Sequence, residues 1–355
     1  MKSRRRTSKG RVLLGFGGLA IFLFFTSIRG LAGFWTDYLW FDSLALSSVW
    51  TSVLWAKIGL GLLFTAIFFI ALWLNLFIAD RLAPTVPLPG PEDELSRRWR
   101  QFIARRAILI RSVISLLFAL LVGAGVSSQW QSWLFFRNRV DFGIVDQQFG
   151  IDVGFYVFQL PFLTFVVNWV FAAIIVIFVV TTIEHYLNGG IRIQGQPGSR
   201  VTPQVKAHLS LLLGLLALVK GAGYYLDRYE LTLSERGFVT GATYTDIKAQ
   251  LPALQLLMIV SVFCFGLLIF NIWRRGFTYP IIAVGLWALV ASLAGTIYPA
   301  LVQRFQVEPS ESTKEAPYIE RNIEMTRLAM GLADVTPRNF DYEPTLTAKE
   351  IEENM

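Results

Sequence analysis

The chain has 355 residues, of which 54% are hydrophobic, 14% aromatic and only 16% charged, with a net charge of +7. A soluble domain usually carries about 25% charged residues, so this composition excludes an ordinary soluble protein and indicates lipid as the main solvent. The single cysteine, Cys264, excludes an intrachain disulfide, and with two histidines, His185 and His208, we expect no histidine-based metal centre and no cofactor.

Seven apolar stretches are long enough to cross a bilayer as helices. The clearest is 162–183, which has 22 residues and no charge. It would form about 33 Å of helix, against a hydrocarbon core of about 30 Å. In lipid a helix satisfies its own backbone hydrogen bonds, which outweighs the weak helix propensity of its valines and isoleucines. We therefore predict an all-α membrane protein with seven transmembrane helices, at about 12–32, 53–79, 107–126, 162–183, 209–225, 252–273 and 277–302.

The first stretch follows a basic N-terminus and superficially has the pattern of a signal peptide. Its apolar run, 12–28, is long, and no small-x-small cleavage pattern follows it. Aromatic residues come next, at 34–41, and tryptophan and tyrosine favour the membrane interface. We interpret the stretch as an uncleaved first span rather than a cleaved signal.

Basic residues are distributed unevenly between the two sets of connecting segments. One set carries 17 lysines and arginines and the other carries 5. The first set is 1–11, 80–106, 184–208 and 274–276, and the second is 33–52, 127–161 and 226–252. Because basic segments stay in the cytoplasm, we predict a multi-pass plasma-membrane protein with a cytoplasmic N-terminus and an extracytoplasmic C-terminal tail.

The composition changes at residue 304. We predict a transmembrane domain at 1–303 and an extracytoplasmic tail at 304–355, which has 11 acidic and 6 basic residues. Apolar residues spaced for one helix face predict a partly amphipathic helix at about 317–332. The tail has too few apolar residues to form a core alone, so it either packs on the outer loops or begins a larger domain.

Three basic residues lie within or at the ends of predicted spans: Arg29, Lys57 and Lys220. In the predicted topology all three lie toward the outer leaflet. Charges inside a membrane are costly and often functional, so one hypothesis is a cluster that contacts an anionic lipid headgroup or substrate. The alternative is that these side chains reach the interface, or pair with outer carboxylates such as Asp37 and Asp227.

A second basic set lies in the predicted cytoplasmic segment between spans two and three. Its position next to the membrane favours contact with anionic lipid of the inner leaflet and makes nucleic-acid binding an improbable role. Its members are Arg97, Arg98, Arg100, Arg105 and Arg106.

Polar residues within the spans are candidates for contacts between helices. We expect Asn75 and Asn168 to form interhelical hydrogen bonds rather than to line a pathway. Glu184 and His185 are adjacent at the predicted inner end of span four, and we expect an exposed interfacial pair rather than an acid/base dyad. The chain lacks the G-x-S-x-G, Walker A and H-E-x-x-H sequence patterns, so no catalytic residue is predicted.

Several sequence blocks together resemble a known bacterial family of integral membrane proteins, uncharacterised protein family 0182. The blocks are WTDYLWF at 35–41, DVGFYVFQLPF at 152–162, YTD at 244–246, VQRF at 302–305 and EAPYIERNIEMTR at 315–327. The resemblance covers essentially the whole chain. It implies a seven-span inner-membrane protein with a large extracytoplasmic region after the last span, and it carries over no catalytic or binding residue.

These observations favour a non-enzymatic membrane protein that anchors or organises cell-envelope components through its outer loops and tail. Its expected partners are membrane lipids and an envelope component, and not nucleic acid. One alternative is a transporter or channel for an anionic or lipid-like substrate, using the outer basic residues. Another is an enzyme that modifies a membrane lipid.

Overall fold

The computed structural model describes residues 9–84, 94, 97–99, 106–192, 200–237, 240–336, 338 and 348–353. Most of these residues are helical, and their only β-structure consists of two isolated bridges, Val145 with Asp152 and Ile191 with Val201. The all-α fold class is therefore confirmed for the described residues. The helices are α1 (Lys9–Ser43), α2 (Ser47–Arg81), α3 (Ala107–Arg137), α4 (Phe155–Leu187), α5 (Pro203–Leu233), α6 (Asp246–Arg274), α7 (Thr278–Ala329) and α8 (Ala348–Glu353).

Six helices, α2 to α7, are long and apolar enough to cross a membrane, as counted over the described residues. The predicted first span, 12–32, lies within α1, which is helical but does not belong to those six. Seven spans thus stay a prediction. The helices also extend beyond the predicted apolar stretches; α5, for example, covers Pro203–Leu233 rather than 209–225. The helix continues into polar and aromatic residues on both sides of the apolar run, and hydropathy alone does not predict these extra turns.

Successive long helices run antiparallel, which gives the bundle two distinct ends. We call one the turn end, because α2, α4 and α6 finish there. At this end Asp80 of α2 bonds to Arg111 of α3, and His185 of α4 meets His208 of α5. We call the other the tail end, because it carries loop 138–154, the described residues 234–237 and 240–245 of a second loop, and the extension of α7.

The bundle core is built on one stripe of α2. Its buried residues recur every three or four positions, which places them on one helix face. They are Ala56, Leu60, Phe64, Phe68, Leu72, Leu76 and Ala79. Large apolar residues elsewhere on the same helix are exposed, including Leu62 and Ile70. A helix that is apolar all round and buried on one side only is typical of contact with lipid.

Helix α7 is much longer than a membrane span. It covers 52 residues, and its regular hydrogen bonding is interrupted by two π turns, Leu293–Ile297 and Gln303–Val307, and by a 3₁₀ turn, Glu308–Ser310. At Ser310 the backbone leaves the helical region, with φ −141° and ψ 39°, and a new α-helical segment starts at Glu311. At 1.5 Å per residue its length is about 78 Å, of which a hydrocarbon core takes only about 30 Å. The tail helix therefore follows the last span directly, through a 3₁₀ turn and not through a loop.

The tail helix also begins earlier than predicted. Its last α-helical segment is Glu311–Ala329, whereas the apolar pattern predicted 317–332. Pro317 lies inside this segment, so it removes one backbone hydrogen bond without stopping the helix. Glu311 in the first turn favours the earlier start, because a negative charge is stabilised at a helix N-terminus.

We predict that Gly123→Ala destabilises the bundle by about 1–3 kcal/mol, because an added methyl overpacks the contact between α3 and α2. A Cβ at Gly123 would lie 2.1 Å from Oγ1 and 2.7 Å from Cα of Thr65, and the Cα belongs to the backbone. The control is Gly125→Ala, whose Cβ would have no heavy atom within 4 Å. Thermal unfolding in detergent measures both, and equal midpoints would show that α2 and α3 do not pack this closely.

Candidate functional site

The first loop of the tail end, 138–154, is folded around a carboxylate. Asp152 accepts hydrogen bonds from the backbone N–H groups of Phe142 (3.0 Å), Gly143 (2.8 Å) and Gly154 (2.7 Å). These donors, Phe142 foremost, hold the pKa of Asp152 below its usual range. The ionised carboxylate therefore holds the loop at neutral pH, and this contribution is lost only as the pH falls through that lowered pKa.

The second tail-end loop, 234–245, closes on a buried carboxylate. Asp246 is 1% exposed and accepts hydrogen bonds from the backbone N–H (3.1 Å) and hydroxyl (2.8 Å) of Thr243. It also forms an ion pair with Arg236, whose Nε lies 3.0 Å from its Oδ1. A buried charge persists only when it is paired and hydrogen-bonded, so this arrangement fixes the loop on the first turn of α6.

The tail part of α7 docks on both loops. The backbone N–H of Tyr244 donates to the Glu315 carboxylate at 3.0 Å, and the Thr245 hydroxyl donates to Gln303. On the other loop, Gln147 donates to Glu324 at 2.7 Å, and Arg321 donates to Gln148 at 3.2 Å. The helix that leaves the bundle is thus held by polar contacts over six turns.

A cleft of about 700 Å³ lies between the second loop and the docked tail, and four of its thirteen lining residues are charged. Its lining includes Arg236, Glu308, Glu311 and Glu315. A group of His, Cys, Asp or Glu side chains arranged to hold a metal ion is not found among the described residues. The cleft therefore has the character of a protein contact surface between loop and tail.

The three predicted outer basic residues lie on three different helices. Arg29 is exposed on α1. The Lys57 ammonium lies 5.2 Å from the ring centre of Trp130, and that of Lys220 lies 4.7 Å from the ring centre of Tyr224. Their recorded side-chain contacts share no partner within the described residues.

Lys220 also lines a small cavity of about 160 Å³ in the bundle, whose other walls are mainly apolar. Phe171, Cys264 and Trp287 form part of these walls, so α4, α5, α6 and α7 all contribute to it. A lysine in such surroundings pairs with an aromatic face in place of water.

The second basic set is only partly described. Arg97 and Arg98 are helical and exposed, Arg98 pairs with Glu94, and Arg106 is exposed just before α3. Arg100 and Arg105 lie outside the described residues. Contact of this set with inner-leaflet lipid remains a prediction.

A buried polar network crosses the turn end of the bundle. His185 Nε2 lies 3.0 Å from His208 Nδ1, and His208 Nε2 lies 3.1 Å from Asn75 Oδ1. The Asn75 amide nitrogen donates to the carbonyl of Ala71, which orients its oxygen as the acceptor. His208 Nε2 is then the donor, its Nδ1 the acceptor, and His185 Nε2 the donor to it, so two neutral histidines satisfy the network.

This network corrects one sequence-based expectation and confirms another. The expectation of an exposed Glu184–His185 pair is wrong for His185, which is 1% exposed because its ring turns inward to His208. The expected interhelical hydrogen bond of Asn75 is confirmed. Asn168 is exposed on α4, and no hydrogen bond of its side chain to another described residue is seen.

An ion pair next to the network joins α2 to α3. Arg111 is 8% exposed, and its Nη2 lies 2.7 Å from Asp80 Oδ2. Its guanidinium also lies 5.5 Å from the Trp73 ring centre and 5.3 Å from that of Phe77. The turn end therefore holds four helices together by polar contacts whose partners are all within the bundle.

A wide crevice opens at the tail end between α2 and the end of α3, with a volume of about 990 Å³. Ser48, Ser52 and Arg137 line its polar part, and Leu60 and Leu63 line its apolar part. Lys57 is not part of its lining.

Sequence reasoning about single residues missed the tail-end site. The charged residues that build it, Asp152, Asp246, Glu315 and Glu324, lie outside the apolar stretches and have no catalytic or metal-binding spacing. The available signal was the family resemblance. The blocks at 152–162, 244–246, 302–305 and 315–327 supply most of the docking residues, and the fold brings them together.

We predict that Glu315→Ala releases the tail from the second loop. The Tyr244 N–H loses a charged acceptor, whose hydrogen bond is worth about 1.5–3 kcal/mol, so its hydrogen exchange should accelerate about tenfold or more. Glu320→Ala is the matched control, because Glu320 lies on the same helix, is exposed, and forms no hydrogen bond or ion pair with another described residue. Hydrogen–deuterium exchange of 234–245 in lipid nanodiscs measures both, and equal uptake in the two variants would contradict the docking.

The comparisons with known proteins agree on one family. The family model described as "Uncharacterised protein family (UPF0182)" matches residues 14–355. No solved structure matches the chain.

Curated relatives come from several bacteria. A UPF0182 protein of Frankia casuarinae is 41% identical over 333 residues, which is 94% of this chain and 33% of that protein. One from Streptomyces coelicolor is 42% identical over 326 residues, 90% of this chain and 32% of its own length. One from Saccharopolyspora erythraea is 39% identical over 347 residues, which is 97% of this chain and 36% of that protein. The chain thus spans about a third of the length of these relatives.

Proposed function

The chain belongs to the uncharacterised protein family UPF0182, and from that premise we propose that it is a non-catalytic membrane anchor that organises cell-envelope components. Its apolar helices hold it in the membrane as a multi-pass protein. Its tail end presents an extramembrane segment in a fixed position. The observation that carries this proposal is that the docked tail helix follows the bundle part of α7 through a single 3₁₀ turn, with no loop between them.

A helix joined to the bundle by one 3₁₀ turn supports anchoring because it restricts where the tail can lie. A flexible linker would leave the tail free to sample many orientations, whereas a helix that also contacts two loops fixes both its distance and its direction. Contacts at Glu315, Arg321 and Glu324 are spread along the helix, so bending at a single point does not release it.

The docked tail also retains an apolar surface for a partner. Ile319 is 46% exposed and Ile323 is 55% exposed, while polar residues of the same helix contact the loops. Exposed apolar groups at helical spacing are typical of a face that packs against another protein segment. We propose that an envelope component covers this face, or that further sequence of the kind found in the longer relatives does so.

The proposed topology has seven spans, with the N-terminus in the cytoplasm and the tail outside the plasma membrane. The long helix α1 supports a seventh span, and the distribution of basic residues, 17 against 5, supports the orientation. The anchoring segment would then face the cell envelope.

A transporter or channel for an anionic or lipid-like substrate is the second candidate. The crevice of about 990 Å³ favours it, since its lining changes from polar to apolar as an amphiphile does. The buried turn end favours the anchor instead. There the polar groups of four helices bond to one another, which gives no support to an open path through the bundle.

We predict that a photo-cross-linking amino acid at Ile319 or Ile323 forms a discrete high-mass adduct in intact cells. Both side chains are exposed on the tail helix, where an envelope partner would lie. Leu62 and Leu117 are the controls, because they are exposed on the bundle and face the proposed lipid phase. Gel mobility after irradiation measures the result. The anchoring proposal fails if the tail positions give no adduct or give the same adducts as the controls.

Transport makes a different prediction, which separates the two candidates. An anchor reconstituted in liposomes should not accelerate the flipping of a fluorescent phospholipid above the rate of protein-free vesicles. Dithionite quenching measures that rate. Protein-dependent flipping, abolished by Lys57→Ala but not by Glu320→Ala, would support the transporter and contradict the anchor.

A further inference from the structure

The crevice at the tail end is formed by two helices that diverge. The first four turns of α2 make one wall, and Trp133, Leu134 and Arg137 at the end of α3 make the other. Trp55 and Leu63 on the rim are 69% and 54% exposed, so the crevice is open at its side. A side opening on a membrane helix gives access from the lipid phase.

The depth of the crevice matches a lipid that lies parallel to α2. Ser48 and Leu63 are fifteen residues apart, so about 22 Å of helix lines the crevice. The first turns of α2, 47–52, are rich in serine and threonine, and its long apolar run begins only at about residue 53. Because that run alone exceeds a hydrocarbon core of about 30 Å, the first turns extend into the headgroup region. The upper part of the crevice is therefore interfacial, and the lower part is in the acyl region.

The lining changes character along this depth. Ser48, Thr51 and Ser52 of α2 face Arg137 and Asn138 at the interfacial end. Deeper residues are small or apolar: Ala56, Gly59, Leu60 and Leu63. This order is that of a phospholipid, with a polar headgroup above and acyl chains below.

The charge of the lining selects the headgroup. Arg137 is the one charged residue of the crevice, and no ion pair of its side chain with another described residue is seen. A guanidinium binds a phosphate oxygen with two parallel hydrogen bonds, and a carboxylate that would repel that phosphate is absent from the lining.

The hydroxyls of the crevice favour a headgroup that donates hydrogen bonds. Thr51 donates its proton to the carbonyl of Ser48 (3.0 Å), and Ser52 donates to the same carbonyl (2.8 Å). Their oxygens are left as acceptors, which suit the hydroxyls of a glycerol headgroup. A headgroup ammonium would be repelled, because the charged residue of the crevice, Arg137, is also a cation.

We propose that this crevice binds one anionic phospholipid of the surrounding leaflet, with its phosphate on Arg137 and its acyl chains along Gly59, Leu60 and Leu63. The site is distinct from the docked tail, and the proposal does not depend on the anchoring role. The bound lipid fills the gap between the diverging helices and fixes the position of α3 relative to α2.

Native mass spectrometry of the delipidated protein tests the site, with phosphatidylglycerol as the probe and zwitterionic phosphatidylethanolamine as the comparison. We expect one phosphatidylglycerol per protein to remain bound at collision energies that remove phosphatidylethanolamine. Equal retention of both lipids would overturn the proposal. The same lipid should raise the thermal unfolding midpoint of the protein, because a ligand that binds the native state stabilises it.

Two variants locate the binding in the crevice, one electrostatic and one steric. Arg137→Gln should weaken phosphatidylglycerol binding about tenfold through loss of the charge-assisted hydrogen bonds. Gly59→Leu should abolish it, because a Cβ there has no protein atom within 4 Å and the larger side chain would occupy the crevice itself.

Each variant has a matched control outside the crevice. Arg139→Gln removes a basic residue two positions along, which contacts Phe136 and does not line the crevice. Gly266→Leu adds the same bulk at an exposed glycine of α6, where a Cβ also has no heavy atom within 4 Å. Both should retain the lipid. If Arg137→Gln and Gly59→Leu bind it as tightly as their controls do, the crevice is not the site.

Discussion

The hydrogen bond from the Tyr244 backbone N–H to the Glu315 carboxylate links the tail helix to the second tail-end loop, and the position of the tail depends on it. Glu315 lies in the last part of α7 and Tyr244 just before α6, and both helices are long and apolar enough to cross a membrane. A carboxylate that accepts a backbone N–H gives a short, directional bond. Because only a 3₁₀ turn separates the tail helix from the bundle part of α7, this bond also restricts the direction of the tail. We propose that the bundle and the tail helix move as one body at this end.

Polar contacts at the turn end stabilise the helix bundle. The His185–His208–Asn75 network and the Arg111–Asp80 pair satisfy buried polar groups that lipid would leave unpaired. Apolar side chains gain little from association in lipid, so such polar contacts and close packing hold the helices together. At the tail end, by contrast, the carboxylates of Asp152 and Asp246 accept hydrogen bonds from the backbone of the loops and hold them in place. Rigid helices bonded at one end and capped by ordered loops at the other suit a protein that holds position.

Much of the fold could be predicted from the sequence because its cause is local. The uncharged stretch 162–183 is helical in α4, since a span in lipid satisfies its own backbone whatever surrounds it. Asn75 was correctly expected to bond to another helix, because a buried amide in lipid has few other partners. The seventh span and the orientation depend on the position of the membrane, and they stay predictions.

The site was harder to predict because its contacts join residues far apart in the sequence. His185 was misjudged, since its burial depends on His208 in the next helix. Glu315 pairs with a residue 71 positions earlier, and Glu324 with one 177 positions earlier. Charge and hydropathy patterns contain no record of such pairings. The basic residues Lys57 and Lys220 looked like one cluster in a linear topology, whereas the fold gives each its own aromatic partner.

Whether the tail is held rigidly can be measured directly by electron–electron double resonance. Spin labels would be placed on Leu233→Cys at the end of α5 and Glu320→Cys on the tail, in a Cys264→Ala background in lipid nanodiscs. Leu233 and Glu320 are both exposed, and Cys264 is buried. If the tail is held rigidly, the two labels give a single narrow distance distribution. Adding Glu315→Ala should broaden it, because the bond to Tyr244 is lost. A broad or two-peaked distribution without that substitution would contradict a rigidly held tail.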